Sequence, residues 1–221
     1  MSEHGILLDH SRESRLGFDE AIYAAGKSVA QLDAIVAQAI EARARRLFTR
    51  LDAEKFHSLA RSHREALDYD DISHTAFLGK RPRPATPPRV AILTGGSSDV
   101  AVSREAARTL EYYGQASLHI PDVGVAGLWR LLDRIDEIRP MRVVIAVAGM
   151  EGALPSVVAG LVPGVVIALP SSVGYGVAEG GRAALNSALA SCAPGLLTVN
   201  IDNGYGAACA ALRVLGPRTE A

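Results

Sequence analysis

RVAILTGG at residues 89–96 and RVVIAVAG at residues 142–149 are runs of β-branched and small apolar residues without polar alternation. A strand with one wet face alternates apolar and polar side chains, so unbroken runs of this length read as strands covered on both faces. GVVIALPSS (164–172) and LLTVNID (196–202) repeat the theme. Between the runs, SREAARTLEYYG (103–114), VAGLWRLLDRIDEI (125–138) and LPSVVAGLV (154–162) carry helical spacing. Strand–helix alternation of this kind calls for an α/β fold, a parallel sheet with helices on both faces. Such sheets take ligands at the carboxyl ends of their strands.

Upstream lies GKRPRPATPPRV (79–90), whose four prolines exclude a helix interior and a central strand. A linker is expected at 81–89, with the main α/β catalytic domain at 90–216 and a tail at 217–221. Before the linker, SVAQLDAIVAQAIEARARRLF (28–48) has helical periodicity, LFTRL (47–51) reads as a short strand, DAEKFHSLARSHREAL (52–67) as a second helix and HTAFL (74–78) as another strand. Residues 17–80 are therefore expected to form a small α/β module behind a flexible N-terminus, 1–16.

The chain of 221 residues is 48% hydrophobic, enough to bury a core, and its formal net charge of −1 gives no reason to expect binding to nucleic acid or an anionic membrane. No run approaches the roughly 20 apolar residues of a membrane span. MSEHGILLDHSRESRLGFDE (1–20) lacks the apolar centre of a secretion signal, so a cytoplasmic location is expected. Two cysteines in a reducing compartment read as free thiols rather than a disulfide framework.

The loops after the strands hold the candidate site. In TGGSSD (94–99), Gly95 and Gly96 allow close backbone approach, while Ser97 and Ser98 offer hydroxyls to an anion; the same residues also suit a plain glycine turn with a helix cap. The run is neither G-x-G-x-x-G nor a P-loop. In AGMEGALPSVVAGL (148–161), Gly149, Met150 and Gly152 surround Glu151, a carboxylate placed to orient a metal, accept a proton or cap the next helix. PSSVGYGVAEGGRAALN (170–186) offers Ser171, Ser172, Gly174, Tyr175 and Gly176 as a ligand loop or a mobile connection. NIDNGYG (200–206) adds Asp202 and Asn203. In AALNSALASCAPG (183–195), Cys192 is expected in the last turn of a helix, near a neighbouring subunit, and Cys209 in GAACAAL (206–212) reads as a packed small residue. Either cysteine can be inert filling.

Taken in order, GFDEAIYAAGKS (17–28), TGGSSD, DVGVAGLWRLL (122–132), VVIAVAGMEGALPSVVAGL (143–161), PSSVGYG (170–176) and SCAPGLLTVNIDNGYGAA (191–208) together resemble the LarB family of nickel-pincer cofactor biosynthesis proteins, over roughly residues 17–214. The C-terminal part also resembles the phosphoribosylaminoimidazole carboxylase/mutase fold, a flavodoxin-like parallel sheet found in homo-oligomers such as octamers. The LarB resemblance implies an enzyme that carboxylates nicotinic acid adenine dinucleotide at C5 of its pyridinium ring, from carbon dioxide or bicarbonate, and hydrolyses the phosphoanhydride to release AMP. It also implies magnesium, and a nucleophilic cysteine in the SCAPG block, here Cys192.

A thiolate adding beside C5 reverses the polarity of the electron-poor ring. Glu151 is then the first candidate to remove the C5 proton and Asp99 the second; Glu151, Asp99 and Asp202 are candidate magnesium ligands. Asp122 joins the substrate-binding candidates through the DVGVAGLWRLL block. Two blocks depart from the family's common forms, TGGSSD for TAGTSD and PSSVGYG for PTSVGYG, and both keep hydroxyls. Glu179 and Arg182 add charges near the site or a subunit contact. A purine-pathway carboxylase/mutase is the nearer alternative, although its Ser-x-His-Arg block is replaced here by SLHIPDVGVAGL (117–128), with His119 lacking the arginine. A non-catalytic nucleotide-binding module is the other. Glu20, Tyr23 and Lys27 in the upstream block read as a solvated helix start or as a cover for a neighbouring site.

Overall fold

The computed structural model describes Asp9 and residues 11–216, divided into two compact units at Arg81/Pro82. The expected tail 217–221 lies outside the described residues, as does most of the expected flexible N-terminus. Arg12–Leu16 forms a helical turn, α1, closed by Gly17 at φ 75°, so that part of 1–16 is structured.

In the first unit, β1 (Ile22–Tyr23) leads to α2 (Val29–Glu41), β2 (Arg46–Thr49), α3 (Ala53–Ser58), α4 (Arg61–Ala66), β3 (Leu67–Asp70) and β4 (Thr75–Leu78). Ser28 and Gln31 form a reciprocal capping box at the start of α2, and Leu32, Ile35, Val36 and Ala39 make its buried stripe. The sheet order is β1-β2-β4-β3, with β1 parallel to β2 and the other pairs antiparallel. The single helix expected over 52–67 is two. The chain turns extended at Leu59, whose side chain is buried in the core, and the Ala60 N–H donates to the Asp33 carboxylate on α2. Burial of Leu59 outweighs one continuous helical ladder.

The second unit has β5 (Ala85–Thr94), α5 (Val100–Tyr112), β6 (Gln115–Ile120), α6 (Leu128–Leu132), α7 (Ile135–Ile138), β7 (Val143–Ala148), α8 (Ala153–Ala159), β8 (Val165–Pro170), α9 (Arg182–Leu189), β9 (Leu197–Thr198) and α10 (Gly204–Leu215). All five strands are parallel in the order β6-β5-β7-β8-β9, the flavodoxin-like arrangement with its crossover point between β5 and β7. Val90, Ile92, Val143, Ile145 and Val147 pack on one face against α5 and α10, whereas Ala91, Leu93, Val144 and Ala146 pack on the other with Leu131, Ile138, Leu154 and Val158. Successive strand residues thus supply two cores, which is why the decisive runs contain no polar alternation.

Two sequence expectations change. β5 begins inside the proline-rich segment: Ala85 pairs with Gln115, and the register shifts before Val90 pairs with Ser117. Pro87 and Pro88, which lack N–H groups, fall in that irregular stretch. The helix expected over 125–138 is a 3-10 turn, Val125–Gly127, followed by α6 and α7, because Leu131 and Ile138 both point into the core across a break at Arg134. No helix of the described residues is long and apolar enough to cross a membrane.

Candidate active site

The carboxyl ends of β5 and β7 open into a cavity of about 300 Å³ lined by Gly95, Gly96, Ser98, Asp99, Ala148, Gly149, Met150, Glu151 and, from the loop after β6, Gly124, Val125, Ala126 and Arg130. Backbone contacts build it. Val123 N–H donates to Thr94 O, Asp122 N–H to Thr94 Oγ1 and Met150 N–H to Val173 O. The strands' loops come so close that a Cβ on Gly124 would lie 2.4 Å from Gly95 O, and one on Gly149 would lie 2.1 Å from Val173 O. Asp122, Met150 and Asp202, at the ends of β6, β7 and β9, all adopt left-handed φ of 52–55°. Strain of this kind concentrates where a fold positions functional groups.

Asp99 is buried at the centre of this network. Its carboxylate accepts Ser171 Oγ–H at 2.5 Å and Gly96 N–H at 2.9 Å, with a further backbone bond from Gly149. One side chain therefore ties together the loops after β5, β7 and β8. Burial raises its pKa above the ordinary aspartate value, the hydrogen bonds from Ser171 and Gly96 oppose that rise, and the negative charge of Asp202 adds to it. Glu151 is exposed and lines the cavity at the foot of α8.

Of the sequence candidates, the cavity gathers Gly95, Gly96, Ser98, Asp99, Gly149, Met150 and Glu151, while Ser171 reaches it through Asp99. Ser97, Gly152, Ser172, Gly174, Tyr175, Gly176 and Asn203 stand outside its lining. Asp202 Oδ1 accepts Ser172 N–H at 2.8 Å, and Asn203 Oδ1 caps α10 by accepting Gly206 N–H, so both act on the backbone. Tyr175 is exposed, beside the fully exposed Val177. Asp122 enters indirectly, accepting from Arg130 Nη1 at 2.6 Å. Sequence reasoning missed Arg130, although it lies in the DVGVAGLWRLL block; it stands three positions after Gly127, a spacing that folds its side chain back over that glycine.

Cys192 is exposed, as a reactive thiol must be, but it is not in the last turn of a helix. α9 ends at Leu189, and Cys192 follows its Ala190 cap. The loop is fastened by Ser191 Oγ, which accepts from Ser156 Oγ on α8 and from Ala193 N–H. This loop feeds the amino end of β9, whereas the cavity lies at the carboxyl ends of β5 and β7. Ala184 packs on Gly152, and from Ala184 to Leu189 the helix runs about 8 Å farther away. Cys192 does not line its own chain's cavity. Cys209 sits half-buried within α10, as expected of a packed residue.

No group of three or more His, Cys, Asp or Glu side chains among the described residues is arranged to hold a metal ion, so Glu151, Asp99 and Asp202 do not form a cage. Magnesium usually keeps waters and takes one or two protein carboxylates together with substrate phosphates. Of the three, the exposed Glu151 fits that lesser role, whereas Asp99 is buried with both carboxylate oxygens hydrogen-bonded and Asp202 accepts Ser172 N–H. His119 lines a separate cavity of about 580 Å³ between α5 and β6, with Ser117, Arg104 and Arg108. Partial desolvation holds its pKa below the ordinary histidine value, and the Arg104 cation lowers it further.

Comparison with known proteins places residues 4–80 in a LarB/PurE-like N-terminal domain family and residues 89–221 in the AIR carboxylase family. An uncharacterized protein of Methanocaldococcus jannaschii is 37% identical over 213 residues, spanning 93% of this chain and 82% of that protein. The N5-carboxyaminoimidazole ribonucleotide mutase of the same organism is 32% identical over 134 residues, 59% of this chain and 81% of the mutase. A crystal structure of a Treponema denticola PurE2 variant superposes on 59% of this chain and 80% of its own, at 26% identity and a TM-score of 0.49.

Proposed function

Because the chain belongs to the AIR carboxylase family and carries a LarB/PurE-like N-terminal domain, we propose that it carboxylates nicotinic acid adenine dinucleotide at C5 of the pyridinium ring. Hydrolysis of the phosphoanhydride then gives pyridinium-3,5-biscarboxylate mononucleotide and AMP. The observation that carries this reading beyond its family is the exposed thiol of Cys192, set against the packed Cys209.

In the proposed reaction the Cys192 thiolate adds to C6, and the ring becomes an enamine with electron density at C5. C5 attacks carbon dioxide; a base removes the C5 proton; the C6–S bond breaks and the thiolate departs with its electron pair, restoring the aromatic cation. The net change is replacement of hydrogen by carboxylate with release of one proton, and no oxidant is needed. Glu151, exposed on the cavity wall, takes the proton. Asp99 keeps the three loops in register around it. Magnesium, when bound, would neutralise pyrophosphate charge, with the exposed Glu151 as the carboxylate to hold it.

Nucleophilic attack needs the reacting atoms about 3–3.5 Å apart, and Cys192 does not line its own chain's cavity. The reading therefore includes a homo-oligomer in which Cys192 serves the cavity of a second copy. The exposed Leu189 and Leu197 flanking the thiol, 68% and 45% accessible, and the exposed Tyr175 and Val177 supply apolar surface for that contact. A reducing cytoplasm would keep the thiol available.

The test is incubation of the purified protein with nicotinic acid adenine dinucleotide, magnesium and bicarbonate, with products identified by mass. A dinucleotide or mononucleotide heavier by one carboxyl group, with AMP released, is expected, and Cys192→Ala should yield none. An unchanged dinucleotide would defeat the proposal. The identity to N5-carboxyaminoimidazole ribonucleotide mutases favours a second reading, carboxylate transfer on an aminoimidazole ribonucleotide. Turnover of that substrate that survives Cys192→Ala would select it. Retention of ligand without any turnover would select a binding module.

A further inference from the structure

The cavity between α5 and β6, of about 580 Å³, has the volume of a small-molecule pocket, and the proposed reaction makes no use of it. α5 carries two stripes. Ala106 and Leu110 pack with Val90 and Ile92 in the core, whereas Val100, Ser103, Arg104, Ala107, Arg108 and Glu111, also at helical spacing, line the cavity. Across from them β6 presents Ser117 and His119, two positions apart and therefore on one face of the strand. A helix–sheet contact ordinarily closes on apolar side chains at high packing density. Here charged and polar groups line a space of ligand size.

The lining is polarised along α5. Arg104 stands near the start of the helix, and its charge reaches His119 near the end of β6; desolvation, joined by that cation, holds the imidazole below the ordinary histidine pKa and so neutral at pH 7. Arg108 follows one turn later and is buried, at 8% accessibility. Glu111 lies about 10 Å along the axis from Arg104, beside the turn into β6, where its carbonyl accepts Gly114 N–H. One end of the cavity is cationic and the other holds the acid.

Ser117 Oγ and His119 Nε2 are 2.9 Å apart. A serine and a neutral histidine bring two polar hydrogens, and the bond between them uses one. If the Ser117 O–H donates, His119 keeps its Nδ1–H; if His119 Nε2–H donates, the Ser117 O–H is left. In either tautomer the pair retains a donor for an anion. Arg104 and Arg108 each have five donors, enough to serve a ligand oxygen as well as a protein partner.

The geometry points to a second ligand site between α5 and β6 that takes a small organic anion. Its carboxylate or phosphate head lies between the two arginines and the Ser117–His119 pair, and its hydroxyl-bearing body extends towards Glu111 and Gln115. No residue lines both this cavity and the glycine-loop cavity. The proposal therefore stands whether or not the pyridinium reaction does.

The test uses glycerol 3-phosphate and glycerate, which share a polyol body and differ in the anionic head, with glycerol as the neutral control. Each is titrated into the full chain at constant ionic strength, and the His119 ring resonance, identified by its loss in His119→Gln, is followed by NMR. At least one anion is expected to move that resonance saturably and to raise the His119 pKa, because a bound anion favours the imidazolium. The tighter of the two identifies the head group, and glycerol should do neither. Arg104→Ala and Arg108→Ala should each weaken binding roughly tenfold through loss of a charge-assisted hydrogen bond, and Ser117→Ala should weaken it a few-fold. Thermal unfolding verifies that each variant is folded; if Arg108→Ala is not, Arg104→Ala and Ser117→Ala carry the test. No saturable movement with either anion, an equal response to glycerol, or undiminished binding in folded Arg104→Ala overturns the site. Displacement of the anion by nicotinic acid adenine dinucleotide also overturns it, since the cavity would then belong to the substrate site.

Discussion

The two ends of the parallel sheet are built differently. At the carboxyl ends, three neighbouring loops are tied to one buried carboxylate, Asp99, and backbone atoms approach too closely for side chains at Gly124 and Gly149. At the amino end of β9, the Cys192 loop is fastened by Ser191 and by Leu196 packed on the core, and it leaves the thiol exposed. The first region has the rigidity needed to orient a ligand; the second presents an exposed thiol outside the lining of that cavity. The proposed reaction needs both and would bring them together through a second copy of the chain.

The sharpest way to break this comparison is at sulfur. Cys192→Ala should eliminate the carboxylated product, whereas Cys209→Ala should leave it, and iodoacetamide followed by peptide mass analysis should label Cys192 well before Cys209 in the folded protein. Mixing unfolded Cys192→Ala with unfolded Glu151→Gln, each inactive alone, and refolding them together should restore activity. Absence of recovery, with both variants co-assembled, would mean that thiol and cavity belong to one chain.

The rigid end is tested next. Gly149→Ala drives a methyl into Val173 O and should cost about 3 kcal/mol, roughly 10 °C of Tm in a thermal melt. A shift under a few degrees would show that the loops yield easily.

Asp99 gives a smaller effect with a definite sign. Its folded pKa is raised, so the folded state binds a proton more readily than the unfolded chain, and stability falls as pH rises through that window. The wild type should therefore gain Tm relative to Asp99→Asn as pH is lowered from 7 towards 4. The opposite slope would indicate that the hydrogen bonds from Ser171 and Gly96 outweigh desolvation. Smallest of all, His119 should titrate below an ordinary histidine by NMR, and Arg104→Ala should raise it part of the way. That change lies in the other cavity and should leave turnover unaffected.

The parallel sheet was legible because RVAILTGG and RVVIAVAG lie between two cores, and residues buried on both faces leave an unmistakable apolar run. β6 was not marked in the same way, since Gln115, Ser117 and His119 put polar groups on a strand at the sheet's edge. Boundaries failed where a single buried side chain outweighed local periodicity, at Leu59 between α3 and α4 and at Ile138 after α6. The glycine-rich lining of the cavity was readable from strand-end loops. Arg130 was not, because its role depends on how α6 folds back beside Asp122.

Sequence alone determined that a parallel sheet exists, which ends of its strands carry small and polar residues, and which residue types can do chemistry there. These follow from short-range periodicity and from the chemistry of individual side chains. Tertiary structure decided that Asp99 joins three loops, that Arg130 faces the cavity, and that Cys192 falls in the loop before β9, outside that cavity's lining. Those facts depend on distances between residues far apart in the chain, and a linear pattern does not specify such distances; strand order and crossover direction do.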